Sequence, residues 1–80
     1  MRVDKFLKNS RIIKRRTIAK EACDGGRVLV NDRSAKAGTE VSAGDTIEIR
    51  FGAKTIKIKV NSTPEHVRKE DAEGLYTVVT

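Results

Sequence analysis

The sequence predicts an α+β fold in which two short helices pack on a small, mostly antiparallel sheet, and three observations lead there. Apolar residues recur at helical spacing through residues 3–23, they alternate at every second position through most of residues 46–60, and glycines or an Asn-Asp pair punctuate the joins. With 80 residues the chain forms a single domain, residues 1–80, because so short a chain buries only about 60% of its unfolded surface and cannot supply two cores.

Val3, Phe6 and Leu7 share a helical face, and Asp4 is an acid of the kind favoured in a first turn, which predicts a helix from about Val3 to Asn9. Ile12 and Ile13 precede a second helical pattern. Here Ile18, Ala19, Ala22 and Cys23 fall on one face until Gly25 and Gly26 end it. At about 100° per residue, Arg16 and Lys20 lie one turn apart on the opposite face, so burying the apolar stripe points both outward. Arg15 would fall on the apolar side if helical, and is placed at or just before the helix start.

Val28-Leu29-Val30 reads as a short strand closed by Asn31-Asp32, two residues that tolerate turn geometry. Gly44-Asp45 marks a turn before Thr46-Ile47-Glu48-Ile49-Arg50-Phe51, in which Ile47, Ile49 and Phe51 share a face. Lys54 to Val60 alternates as well and is joined through Gly52, predicting a hairpin. Thr63-Pro64-Glu65 combines a capping residue with proline at a first helical position, predicting a short helical turn through about Asp71. Leu75 to Val79 is expected to return as a strand. The chain shows no internal repeat and no linker long enough to divide it.

Composition narrows the function classes. Two Phe, one Tyr and no Trp predict a small aliphatic core. No run of about 18 apolar residues spans a bilayer and no apolar stretch opens the chain, so a soluble, cytoplasmic protein without a membrane partner is expected. One cysteine, Cys23, cannot form an internal disulfide, and one histidine, His66, cannot complete a Cys/His zinc set. Ser10 and Ser34 have no neighbouring base, the eleven acids are scattered, and Gly25-Gly26 lacks the pattern of a phosphate loop. His66 reads as an exposed surface histidine and Cys23 as a buried small hydrophobe. No catalytic residue, metal or cofactor is expected, and the chain is not read as an enzyme.

The charge is the informative feature. The net charge of +6 divides unevenly: residues 1–36 carry eleven Lys/Arg and four Asp/Glu, a net of +7, while residues 37–80 carry six and seven, a net of −1. Residues 8–20, KNSRIIKRRTIAK, hold six of these cations and no acid. So many like charges call for a polyanion, and the planar fork of arginine can take two phosphate oxygens at once while released counterions drive association. A lipid surface would attract the same charge, but the apolar faces are needed for the core. With two of the three aromatics, Phe6 and Phe51, on expected core faces, a stacking platform for single strands is not expected. That leaves the shape of folded RNA or a duplex backbone. The second helix has no Asn or Gln to read adenine edges, which weighs against a DNA helix-turn-helix.

The run Arg2-Val3-Asp4-Lys5-Phe6-Leu7, then Arg11, Lys14-Arg15-Arg16, Ala19, Gly26-Arg27-Val28, Val30-Asn31 and Gly44-Asp45, resembles the alpha-L RNA-binding motif, the module named after ribosomal protein S-four. The resemblance spans about residues 1–50 and implies an alpha-L fold, two short helices on a small curved sheet that presents a basic surface to structured RNA. Residues 51–80 would add a hairpin strand, a short helix and a tail. Two positions depart from the pattern: Arg15 stands where serine is frequent, and Asn31-Asp32 where Asn-Gly is usual.

Free-standing length and the run DKFLKNSRIIKRRTIAKEACDGGRVLVN look like the RqcP family of ribosome-quality-control factors and the related heat-shock ribosome-binding proteins. That likeness implies binding to stalled large ribosomal subunits through rRNA and peptidyl-tRNA, stabilisation of peptidyl-site tRNA, and support of an RqcH-type tailing factor in alanine tailing. A chain that is monomeric when free is expected. By position, Arg2, Arg11, Lys14, Arg15, Arg16 and Asn31 would face RNA, and the helical face adds Lys8 and Lys20. Leu7, Ala19 and Val28 would be core. A minor ribosomal protein, a subunit-assembly or heat-shock recycling factor, and an accessory part of an RNA-modifying enzyme stay open as alternatives.

Overall fold

The structure, a computed structural model, describes residues 1–79. Two helices, α1 (Val3–Asn9) and α2 (Arg16–Asp24), lead into strands β1 (Val28–Val30), β2 (Arg33–Ser34), β3 (Thr46–Phe51) and β4 (Lys54–Val60). A 3₁₀ helix (Lys69–Leu75) and strand β5 (Tyr76–Val78) follow. The strands form one antiparallel sheet in the order β2-β1-β3-β4-β5. The expected α+β architecture of helices on an antiparallel sheet is the one observed.

α1 is tied at its start: the Val3 N–H donates to the Thr39 carbonyl and the Val41 N–H to the Met1 carbonyl, each at 2.8 Å. Its stripe of Val3, Phe6 and Leu7 is fully buried. α2 meets α1 with Ala19, Ala22 and Cys23, small residues that allow close approach, and Ile47, Ile49, Ile58 and Val60 close the core from the sheet. Leu7, Ala19 and Val28 are all completely buried.

The turn between β1 and β2 holds two residues, Asn31 at φ 51° and Asp32 at φ 67°. Left-handed backbone at both central positions is the geometry that matches strand twist in a two-residue hairpin, so the turn keeps its form although Asp stands in place of glycine. The Asn31 side chain pins it to β3: Nδ2 donates to Asp45 Oδ1 at 3.2 Å, and Oδ1 accepts from the Thr46 N–H at 3.0 Å and from Thr46 Oγ1 at 3.3 Å.

Three expectations need correction. Ile18, placed on the apolar face of α2, is 48% exposed, because the contact stripe centres on Ala19, Ala22 and Cys23 and leaves Ile18 at its margin. Phe51 is 41% exposed, since burial fades toward the tip of the β3–β4 hairpin and the alternation runs past the layer that covers it. The C-terminal turn is a 3₁₀ helix over Lys69–Leu75 rather than a helix running from Pro64 to Asp71. Lys5 pairs with the Glu65 carboxylate and Asn9 Nδ2 donates to the Glu65 carbonyl at 3.5 Å, holding residues around 65 as an irregular strap beside α1. Only beyond Arg68 does the chain coil, with Ala72 and Leu75 buried three residues apart, the spacing that a three-residue turn eclipses.

Candidate nucleic-acid interface

The basic segment owes its shape to the way α1 ends. Arg11 follows the last turn with φ 62°, a left-handed conformation usually given to glycine, and its N–H donates to the Lys8 carbonyl at 3.0 Å. The Ile13 N–H then reaches the Leu7 carbonyl at 3.1 Å. Ser10 is buried, its Oγ donating to the same Leu7 carbonyl at 3.2 Å. This reversal turns Ile13 into the core and leaves Lys8, Arg11, Lys14 and Arg15 exposed. Arg15 is the extended N-cap of α2, φ −114° and ψ 129°, and its side chain makes no capping bond. It therefore forgoes the stabilisation a serine would give there and keeps its guanidinium outside.

A second arrangement joins the starts of the two helices. Asp4 is 2% exposed and accepts from the Lys5 N–H at 2.8 Å. Arg2 lies over it, Nε 3.2 Å from Oδ1 and Nη2 3.2 Å from Oδ2, and Arg16 Nε stands 3.5 Å from Oδ2. Both arginine side chains remain about half exposed, at 48% and 47%. One buried carboxylate thus holds two arginines side by side at the surface, and their remaining N–H donors are available to a ligand. In the sequence Asp4 reads only as a first-turn acid. Its place three residues before Leu7, on the buried stripe of α1, was the available signal for this role.

Of the residues expected to face RNA, Arg2 and Arg16 are therefore brought together, and Lys8, Arg11 and Lys14 line one small hollow. Arg15 and Lys20 are exposed. Among the described residues, Lys8, Arg11, Lys14, Arg15 and Lys20 form no ion pair. Asn31 stands apart from them in its chemistry: its amide is engaged by Asp45 and Thr46, so it shapes the turn.

Cys23 and His66 lie outside this basic surface in character. Burial pushes the Cys23 thiol from an ordinary 9.0 up to about 11, helped by the negative charges of Asp4 and Asp24, so it is protonated at neutral pH. His66 is exposed, and among the described residues no three His, Cys, Asp or Glu side chains gather as a metal site. No helix among them is long and apolar enough to cross a membrane.

Known proteins fit this geometry. The S4 domain family matches residues 1–47. A protein of Halalkalibacterium halodurans named RQC P-site tRNA stabilizing factor is 56% identical over 78 residues, covering 98% of this chain and 89% of that protein. The Bacillus subtilis protein of the same name is 48% identical over 79 residues, covering 99% and 92%. Among solved structures, trimeric Vibrio cholerae Heat Shock Protein 15 superimposes with a TM-score of 0.90 at 30% identity, covering 99% of this chain and 81% of that one.

Proposed function

Because the chain belongs to the S4 domain family, we propose that its exposed cations bind structured RNA and that it acts, as its relatives' name says of them, by stabilising peptidyl-site tRNA in ribosome-associated quality control. The observation that carries this reading is the state of the basic residues. Seven exposed Lys and Arg side chains gather in the first twenty residues, five of them without an ion pair among the described residues and two held over Asp4. Charge kept for solubility alone needs no buried carboxylate to aim it.

In this reading Arg2 and Arg16 take phosphate oxygens with the donors that Asp4 leaves unused, and Lys8, Arg11, Lys14, Arg15 and Lys20 add counterion release along the backbone. The large subunit's rRNA and its peptidyl-tRNA are the ligands, an RqcH-type factor that extends the nascent chain with alanine is the working partner, and the chain performs no catalysis of its own. It acts in the cytoplasm and is monomeric when free.

Gradient sedimentation tests the proposal. The protein should migrate with large subunits that carry peptidyl-tRNA and much less with vacant ones. Equal occupancy of all large subunits would point to a ribosomal protein, and absence from both would end the assignment. The TM-score of 0.90 to Heat Shock Protein 15 favours a second reading, a heat-shock subunit factor. In that case subunit association would rise on heat shock without any need for stalled translation.

A further inference from the structure

The second half of the chain, nearly neutral in sum, sends two cations back to the basic segment. Arg68 and Lys69 lie against Lys8, Arg11 and Lys14 around one hollow of about 80 Å³. We infer that these five side chains form a phosphate-binding cleft for RNA backbone, distinct from the Arg2–Arg16 pair, and that the C-terminal strap exists in part to complete it. The inference rests on the RNA-binding reading above and extends it to residues outside the matched family segment, 1–47.

Three observations support the cleft. None of the five cations forms an ion pair among the described residues, so no carboxylate at contact distance offsets their mutual repulsion. The strap is fixed where it needs to be: Glu65 is held by Lys5 and Asn9, Val67 packs against the core, and the Asp71 N–H donates to the Arg68 carbonyl at 2.9 Å as the 3₁₀ helix begins. Arg11 occupies a left-handed backbone position, φ 62°, where glycine would cost less, and such strain is retained where the side chain has a use.

Size and lining select the ligand group. The hollow of about 80 Å³ is small and ringed by cationic side chains, a lining suited to a phosphate. No aromatic ring lines it, so stacking is not on offer. The neighbouring hollow shares Arg11 and Lys69 but adds Glu70 and Glu73, which weaken the positive field on that side and favour the Lys8 and Lys14 side as the approach for a polyanion.

Neutralising the strap tests this. Arg68→Gln/Lys69→Gln is compared with Lys54→Gln/Lys59→Gln on β4, which removes the same charge away from the cleft, after equal thermal stability is checked. Binding to free tRNA and to vacant large subunits is titrated against salt. The strap variant should lose roughly ten-fold or more near ~0.1 M salt and about two units of slope in log K against log salt, one per phosphate contact. Loss on tRNA alone or on subunits alone would assign the phosphate to that RNA. The β4 variant should lose much less. If the wild type binds and the strap variant matches either it or the β4 variant, the cleft is overturned. If the wild type binds neither RNA, the RNA-binding reading fails and takes the cleft with it.

Discussion

Asp4 shows how much one residue can organise. A carboxylate 2% exposed is costly unless paired, and here the Lys5 N–H and two guanidiniums compensate it. Either arginine can be lost while the other remains. Arg2→Ala and Arg16→Ala should each cost about 0.5–1 kcal/mol in chemical denaturation, yet each should weaken RNA association several-fold. The double variant strands the carboxylate and should cost about 3 kcal/mol, more than the sum of the singles. Additive losses would mean that the two arginines do not share Asp4. Cys23 offers a second check at this scale. Its folded thiol is raised to about 11 from 9.0, so between those values the unfolded chain has given up a proton that the folded chain retains. Stability should therefore be unaffected by this group below about pH 9 and should fall as pH rises from 9 toward 11. Cys23→Ala should flatten that decline, and alkylation of the wild-type thiol should track global unfolding.

Elements differ in how far local chemistry determines them. The bounds of α1 could be read directly because Val3, Phe6 and Leu7 are large, the stripe is narrow and nothing distant competes with it. The β3–β4 hairpin was legible for the same reason: alternation and Gly52 suffice. Ile18 and Phe51 were misplaced because periodicity says which residues share a face and not where the covering layer stops. The strap was misread because its course depends on Lys5 and Asn9, some sixty residues away, which no local pattern around Pro64 reveals. The basic cluster was visible in composition, whereas the Asp4 clamp and the approach of Arg68 and Lys69 needed the fold. The β1–β2 turn carries its own prediction. Asp32 holds φ 67° at a position where glycine is unstrained, and its ion pair with Lys57 at 3.5 Å is exposed and so contributes little. Asp32→Gly should raise stability by about 0.5–1 kcal/mol, roughly 2–8 °C in Tm, with RNA affinity unchanged.

For the whole molecule, the distribution of charge decides what kind of recognition is possible. A net of +6 is concentrated in side chains suited to phosphate, while the one amide expected to face RNA, Asn31, spends its hydrogen bonds on Asp45 and Thr46. Exposed Phe51 sits with Ile13, Ile18, Arg27 and Arg50 and lines no part of the cationic hollow, so its ring does not share that site. Binding by such a surface should depend on RNA shape and charge and hardly at all on base identity. A bidentate base contact discriminates by about 1–3 kcal/mol, or roughly five- to more than a hundred-fold. Transfer RNAs of one fold but different sequence should instead bind within about three-fold of each other and share one salt slope. A spread beyond ten-fold at matched salt would require a base-reading group, and among the arginines the half-exposed pair over Asp4, already fixed in direction, would be the first to mutate.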